Sequence, residues 1–426
     1  MTDNNRPKSD STAGVAGCAG LALLVLVMGY SAQSAAEEAR FGIAPSANTQ
    51  QAVSDAPTRS SREQEGFYAG IGASYSHRSN VRRDIDGSED GDAAYIISPR
   101  AGYKRFFGRH SAEVGVTSQF TRFQDFSEEN TESYTLSGLT NLDITRILDL
   151  DLYGSFTDTA EARGASGTRI NQDPVPDQVE ITGYGGVFTL GRPASRIQIE
   201  LGADRSQWRY QNNQQEFRDR DNDRLHGRVY YNISPRTSVF AGAGLTDIDF
   251  IRQGDSLDSE ELAYEVGGRW DASARTTGRV SVGRTEKDFD NPVLEDATTT
   301  TLAGRLSWDA RPRTTFNLYG SRQFEETTSA TDSFYVSELV GLSVDQSFGA
   351  RWNAFAYYNI TNDEFESGRE DQITDYGLGL DYSLRRWLSI GAQFSVVERD
   401  SNVPGNDYTD EILSLFINGN FEIGNR

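Results

Sequence analysis

Residues 197–204 read Ile197-Gln198-Ile199-Glu200-Leu201-Gly202-Ala203-Asp204, a regular exchange of oily and wet or small side chains. In an extended chain, successive side chains point to opposite faces, so this stretch has one face for hydrocarbon and one for water. The same pattern sets Leu148, Leu150, Leu152 and Phe156 against Asp149, Asp151, Tyr153 and Ser155. It returns near the C-terminus, where Leu388, Ile390, Ala392, Phe394 and Val396 alternate with Ser389, Gly391, Gln393 and Ser395. From Gly66 onward such runs last 10 to 14 residues. A soluble β-sandwich also alternates, but with short strands and a dry core. Runs of this length match the roughly 9 to 11 tilted residues that cross a bilayer, with some to spare outside it.

Composition narrows the choice. The 426 residues include 41 glycines and, from 19 tyrosines and 22 phenylalanines, 41 such aromatics. The mean hydropathy is −0.58. Beyond residue 30 no stretch approaches the roughly 18 to 20 apolar residues of a membrane helix, so any spanning structure must be built from strands. Aromatic and β-branched residues persist throughout, unlike in a disordered chain. With a formal charge of −22, no nucleic-acid partner is expected.

The connections divide into two kinds that take turns along the chain. Short basic corners occur at Phe107-Gly108-Arg109, Thr145-Arg146, Gly191-Arg192-Pro193, Ser234-Pro235-Arg236-Thr237, Ser273-Ala274-Arg275-Thr276, Arg311-Pro312-Arg313-Thr314, Gly349-Ala350-Arg351 and Arg385-Arg386. From Arg236, the arginines Arg275, Arg313, Arg351 and Arg386 follow at intervals of 39, 38, 38 and 35 residues, the length of two strands, a corner and a long loop. The long connections are acidic, at Asp84 to Asp92, Asp219 to Asp223, Asp288 to Asp296 and Asn362 to Asp371, with an insertion at Gly164 to Asp177. Short turns of bacterial barrels face the periplasm and long loops face outside. Eight corners between a first strand at 66–78 and a last at 409–423 predict 2 × 8 + 2 = 18 strands. The expected fold is therefore all-β: a single transmembrane antiparallel up-and-down barrel of about 18 strands over residues 66–426.

Residues 1–36 have the layout of a cleaved Sec-type signal peptide. Arg6 and Lys8 precede an apolar run from Ala19 to Met28 and the small residues Ser31 to Ala36. Cleavage is expected after Ala36, or two residues earlier. The one cysteine, Cys18, precedes the apolar run, the reverse of a lipoprotein signal, and leaves with the leader. Residues 37–65 lack apolar period and read as a flexible periplasmic extension. This extension of about thirty residues leaves no room for the folded plug of an energy-coupled transporter.

If the oily faces meet lipid, the wet faces line a lumen. That assigns Arg100, Lys104, Glu113, Asp143, Asp149 and Asp151 in the first half of the barrel. It also assigns Glu200, Arg228, Glu265, Arg269, Arg279, Arg305 and Asp381 in the second. For any one of them, cross-bracing of the interior is the alternative reading. Trp270, Trp308, Trp352 and Trp387 lie close to basic corners, as a periplasmic aromatic girdle would, while Trp208 and Tyr210 are expected at the outer interface. Tyr68, Tyr230 and neighbouring polar groups on inward faces could support a sliding sugar. Catalysis has little basis, because His77, His110 and His226 fall in three different hairpins. Asp219, Asp221 and Asp223 alternate like calcium ligands, but Arg224 and Tyr230 stand where an EF-hand loop needs glycine and glutamate. No cofactor and no metal are expected.

Gly66-Phe67-Tyr68-Ala69-Gly70-Ile71-Gly72, Ile97-Ser98-Pro99-Arg100-Ala101-Gly102-Tyr103 and Phe107-Gly108-Arg109-His110 resemble an outer-membrane β-barrel porin family found near exopolysaccharide gene clusters. The resemblance covers about residues 66 to 426. It implies a passive conduit for export of an exopolysaccharide, working with a periplasmic polysaccharide-export protein. The alternatives are a general diffusion porin for small solutes and a structural or adhesive surface barrel. In each case the expected surroundings are the lipid and lipopolysaccharide of a Gram-negative outer membrane.

Overall fold

The computed structural model describes residues 65–164, 174–192, 195–252, 257–273, 275–327 and 332–424. The signal-peptide reading, Cys18 and residues 37–64 of the extension lie outside them. Eighteen strands follow one another along the chain. They are β1 (Gly66–Arg78), β2 (Asp92–Phe107), β3 (His110–Phe123), β4 (Thr131–Thr145), β5 (Leu148–Ala160) and β6 (Gln178–Leu190). Next come β7 (Ile197–Tyr210), β8 (Arg220–Ser234), β9 (Thr237–Phe250), β10 (Ser259–Ser273), β11 (Thr276–Phe289) and β12 (Ala297–Arg311). The last six are β13 (Thr314–Glu326), β14 (Phe334–Phe348), β15 (Trp352–Phe365), β16 (Glu370–Arg385), β17 (Leu388–Ser401) and β18 (Tyr408–Gly424).

Each strand pairs antiparallel with its chain neighbours, and β1 pairs with β18 from Gly66↔Gly424 to Arg78↔Ile412. That last pairing closes the sheet. In hydrocarbon no water is present to satisfy a bare strand edge, so closure is what allows strands to cross a membrane. The alternating code explains the rest. Outward rows such as Leu225, Val229 and Tyr231, or Tyr376, Leu378 and Leu380, are exposed, as a lipid-facing surface must be.

The eight short turns lie at one end with Gly66 and Gly424, and the long loops at the other. Five two-residue turns, after Thr145, Ser234, Ser273, Arg311 and Arg385, are preceded by a one-residue register shift that bends the strand into the corner. Gly108 and Gly349, with φ of 71° and 72°, supply the left-handed residue in two others.

Two acidic stretches read as loops are largely strand. Asp221 and Asp223 lie in β8, and β15 and β16 leave only residues 366–369 as their loop. The strands outrun the bilayer, so polar side chains return to the outward face. Asp221 and Asp223 share the outward parity of Leu225, where Arg205 pairs with both, at 2.5 and 3.0 Å, and Arg209 pairs with Asp221 at 2.5 Å.

Leu378 sits mid-strand in β16 and is 62% exposed. Leu378→Arg should destabilise the folded barrel by about 2–4 kcal/mol, while Leu384→Arg, beside the turn, should cost about 0–1 kcal/mol. Denaturant unfolding in vesicles measures both, and equal costs would contradict this placement of the membrane.

Candidate functional site

The thirteen charged residues assigned to wet faces all share the face of their strands opposite the exposed apolar rows, as the register requires. Arg100 donates to Asn420 Oδ1 at 2.7 Å, across β1. Lys104 lies 3.5 Å from Glu113, which also accepts from the Tyr68 hydroxyl at 3.0 Å. Asp143 and Asp149 are direct cross-strand partners, and Arg109 approaches Asp143 to 3.7 Å. Asp151 accepts from Asn141 at 2.5 Å. Asp381 stands on β16 opposite Asn353.

The most concentrated group is on β7 to β12. Arg228 is 4% exposed and is held by Glu265 and, at 3.8 Å, by Glu200, which accepts from the Tyr230 hydroxyl at 2.8 Å. Beside this neutralised knot the register places Arg269 opposite Arg279, and Arg279 opposite Arg305. Like charges directly opposite one another destabilise a sheet. Part of that cost is met by aromatic faces, since Arg269 lies 4.7 Å from the ring of Tyr230 and Arg279 lies 4.6 Å from that of Phe240. The next partner in the row is Tyr319, whose hydroxyl donates to Asn359 at 2.6 Å. The result is a band of guanidinium and phenol along one wall. A cavity of about 310 Å³ adjoins it, lined by Trp208, Asp204, His226, Arg228, Glu265 and Gln323, among others.

Inward glycines let these rings lie flat. A side chain at Gly341 would run into the Tyr319 ring and come within 2.5 Å of Asn359 Oδ1, and one at Gly379 would strike Phe355. The lumen wall is thereby kept smooth next to bulky neighbours.

Toward the outer end the lumen is packed. Lys287 is buried between Glu261 at 3.0 Å and Glu326 at 2.7 Å. Arg399 pairs with Asp371, and Arg78 with Asp410, all on inward faces under the loops. The segment after β5 folds inward, where the Gly164 carbonyl accepts from Tyr408 of β18 at 2.8 Å. The Arg163 carbonyl accepts from Arg83 at 2.7 Å, and the Arg163 side chain donates to Glu129 at 2.9 Å. From β5 to β18 is five strand spacings, about 24 Å of wall. Residues 161–164 therefore lean inward from β5 toward β18 and the loop after β1. The root of this segment is pinned by Glu161, which receives Arg218 at 2.8 and 2.9 Å and the Tyr210 hydroxyl at 2.9 Å. Burial opposes the charge on Arg218, but Glu161 and Tyr210 outweigh it and raise its pKa, so the guanidinium stays charged.

Trp208 is not an outer-interface residue. It pairs with buried Ile181, packs against Val179 and Tyr210, and lines the inner cavity beneath Arg220, 4.6 Å from its ring. It shares the parity of Glu200, Gly202 and Asp204, which turns it inward whatever its residue type. Trp308, Trp352 and Trp387 are lipid-facing at 48, 45 and 46% exposure, and Trp270 shares their outward parity. The aromatic partners Phe240 and Tyr319 are not among the residues that charge singles out. Their inward parity was readable, their proximity to the arginines was not. His77, His110 and His226 lie on β1, β3 and β8 and do not converge.

Fold and lumen together define an outer-membrane β-barrel channel. Residues 67–421 match the sequence profile of the family described as "Putative beta-barrel porin 2", and the chain belongs to that family. No curated protein matches it. Among solved structures it is similar to OccK2 (OpdF) of Pseudomonas aeruginosa, at 11% identity and a TM-score of 0.47, over 84% of this chain and 98% of that one. It is likewise similar to OpdK of the same organism, at 11% identity and 0.46, over 83% and 99%. A third is OccAB3 of Acinetobacter baumannii, at 11% and 0.45, over 84% and 99%.

Removing one member of a buried ion pair costs about 3–5 kcal/mol, whereas replacing both by apolar groups is often close to neutral. Glu265→Leu should therefore destabilise the barrel by an amount in that range, and adding Arg228→Leu should recover most of it. A double-mutant cycle on unfolding free energies reads the coupling, and additive losses would show that the knot is not a unit.

Proposed function

We propose that the chain is a passive channel for small solutes that favours anions, with the thirteen inward charges lining its path. The observation that carries this reading is the row Arg269, Arg279 and Arg305 on three adjacent strands. A barrel built only for stability gains nothing from three neighbouring cations, since alternating signs would brace the wall better. A fixed positive sector in a low-dielectric wall concentrates anions, and the adjoining rings offer flat surfaces to planar or apolar parts of a solute. The resemblance in sequence put polysaccharide export first and general permeation second. Membership of a porin family supports the opposite order.

Reversal potentials in planar bilayers under a salt gradient test the reading. The native channel should pass chloride in preference to potassium. Arg269→Gln/Arg279→Gln/Arg305→Gln should lower that preference by about tenfold while the barrel still folds. A cation-selective native channel, or an unchanged ratio in the variant, would overturn the assignment. Passage of long oligosaccharides at monosaccharide rates in vesicle-swelling measurements would restore the export reading.

A further inference from the structure

We propose that the rim of short turns is a binding surface for anionic glycerophospholipid headgroups of the inner leaflet. All eight turns contain arginine, and none contains lysine, aspartate or glutamate. In a chain whose formal charge is −22, cations are thus gathered at one end and carboxylates kept from it. The density is greatest on three successive turns, which present Arg311 and Arg313, then Arg351, then Arg385 and Arg386, all exposed.

Depth is fixed by the tryptophans. Trp352 and Trp387 are the immediate chain neighbours of Arg351 and Arg386, and Trp308 lies three residues before Arg311. Each is on the lipid-facing side against another ring, namely Tyr382 at 4.6 Å, Phe421 at 5.3 Å and Phe316 at 5.6 Å. Such rings settle at headgroup level. A guanidinium one to three residues away, about 3–10 Å along the strand, then lies at the depth of the phosphates.

Chemistry selects the partner. Arginine presents a planar fork that matches a phosphate diester in two-point fashion, which lysine does not. Among the described residues, Arg311, Arg313 and Arg386 have no carboxylate within ion-pair distance, Arg351 donates to the Tyr382 hydroxyl at 3.1 Å, and Arg385 to the Leu384 carbonyl at 3.5 Å. Asp309, two residues before Arg311, accepts from Thr315 at 2.7 Å. The outward cations near the other rim differ: Arg284 and Arg322 each have a glutamate at 3.0 Å, and Arg122 is paired with Glu132. Those outer cations are neutralised within the chain, whereas the three successive turns are left with positive charge facing the headgroups.

The test uses the full chain in mixed nanodiscs of phosphatidylglycerol and phosphatidylethanolamine. Native mass spectrometry then identifies the lipids retained after partial delipidation. The native protein should retain phosphatidylglycerol above its bulk fraction. Arg311→Gln/Arg313→Gln/Arg351→Gln/Arg385→Gln/Arg386→Gln should reduce that enrichment by at least about fivefold, and Arg385→Gln/Arg386→Gln alone by less. The smaller variant keeps the test open should the larger fail to fold. Arg122→Gln/Arg284→Gln at the opposite rim should leave the enrichment unchanged. No enrichment in the native protein, equal enrichment in the turn variants, or equal retention of lipid A by the same arginines would each overturn the proposal. So would loss of capture of an acidic periplasmic protein without any change in lipid retention.

Discussion

Everything in this molecule depends on the ladder between β1 and β18. A strand edge facing hydrocarbon would leave a row of amides and carbonyls without partners, each at a cost of several kcal/mol. Closing the sheet removes that cost for all eighteen strands together. With the backbone fixed, each residue's environment is decided by parity and height, and side-chain chemistry follows from those two coordinates.

Parity separates lipid from lumen. The lumen then has a division of its own, which closure makes rigid. Arg228 of β8 pairs with Glu200 of β7 and Glu265 of β10, whereas across β10 to β12 three arginines are adjacent. A flexible surface would relieve such crowding by turning side chains apart. Here Arg269 and Arg279 are held over the faces of Tyr230 and Phe240, a pre-organised field of the kind a mobile loop cannot hold.

How much of this was legible depended on the distance over which each feature is encoded. The alternation from Ile197 to Asp204 is local, and it predicts strand, face and membrane together. The strand count followed from corners because each corner is local as well. Trp208 failed because residue type was given more weight than parity. Asp221, Asp223 and the stretch from Asn362 were misread as loop because a strand that leaves the bilayer loses its oily row and looks like a polar connection. Buried Val179, Ile181 and Phe416 break the wet-face rule for a related reason. Inward positions that are packed instead of bathed in water are free to be apolar. The face of Arg269, Arg279 and Arg305 can be read from local alternation, but their juxtaposition is a matter of register between strands, which no single stretch of sequence contains.

The two ends of the barrel face different problems and use charge differently. At the outer end, loops must fold over a wide opening without a large apolar core. They do so with buried pairs such as Arg399–Asp371 and the Glu161–Arg218 clamp. Such pairs need a partner for every charge, which is why acids and bases are mixed there. At the inner end the turns are too short to pack on anything, so no pairing is imposed by folding. A single sign accumulating there is therefore not explained by the stability of the chain alone. It becomes intelligible once the partner is placed outside the chain, in the anionic headgroups that surround its base.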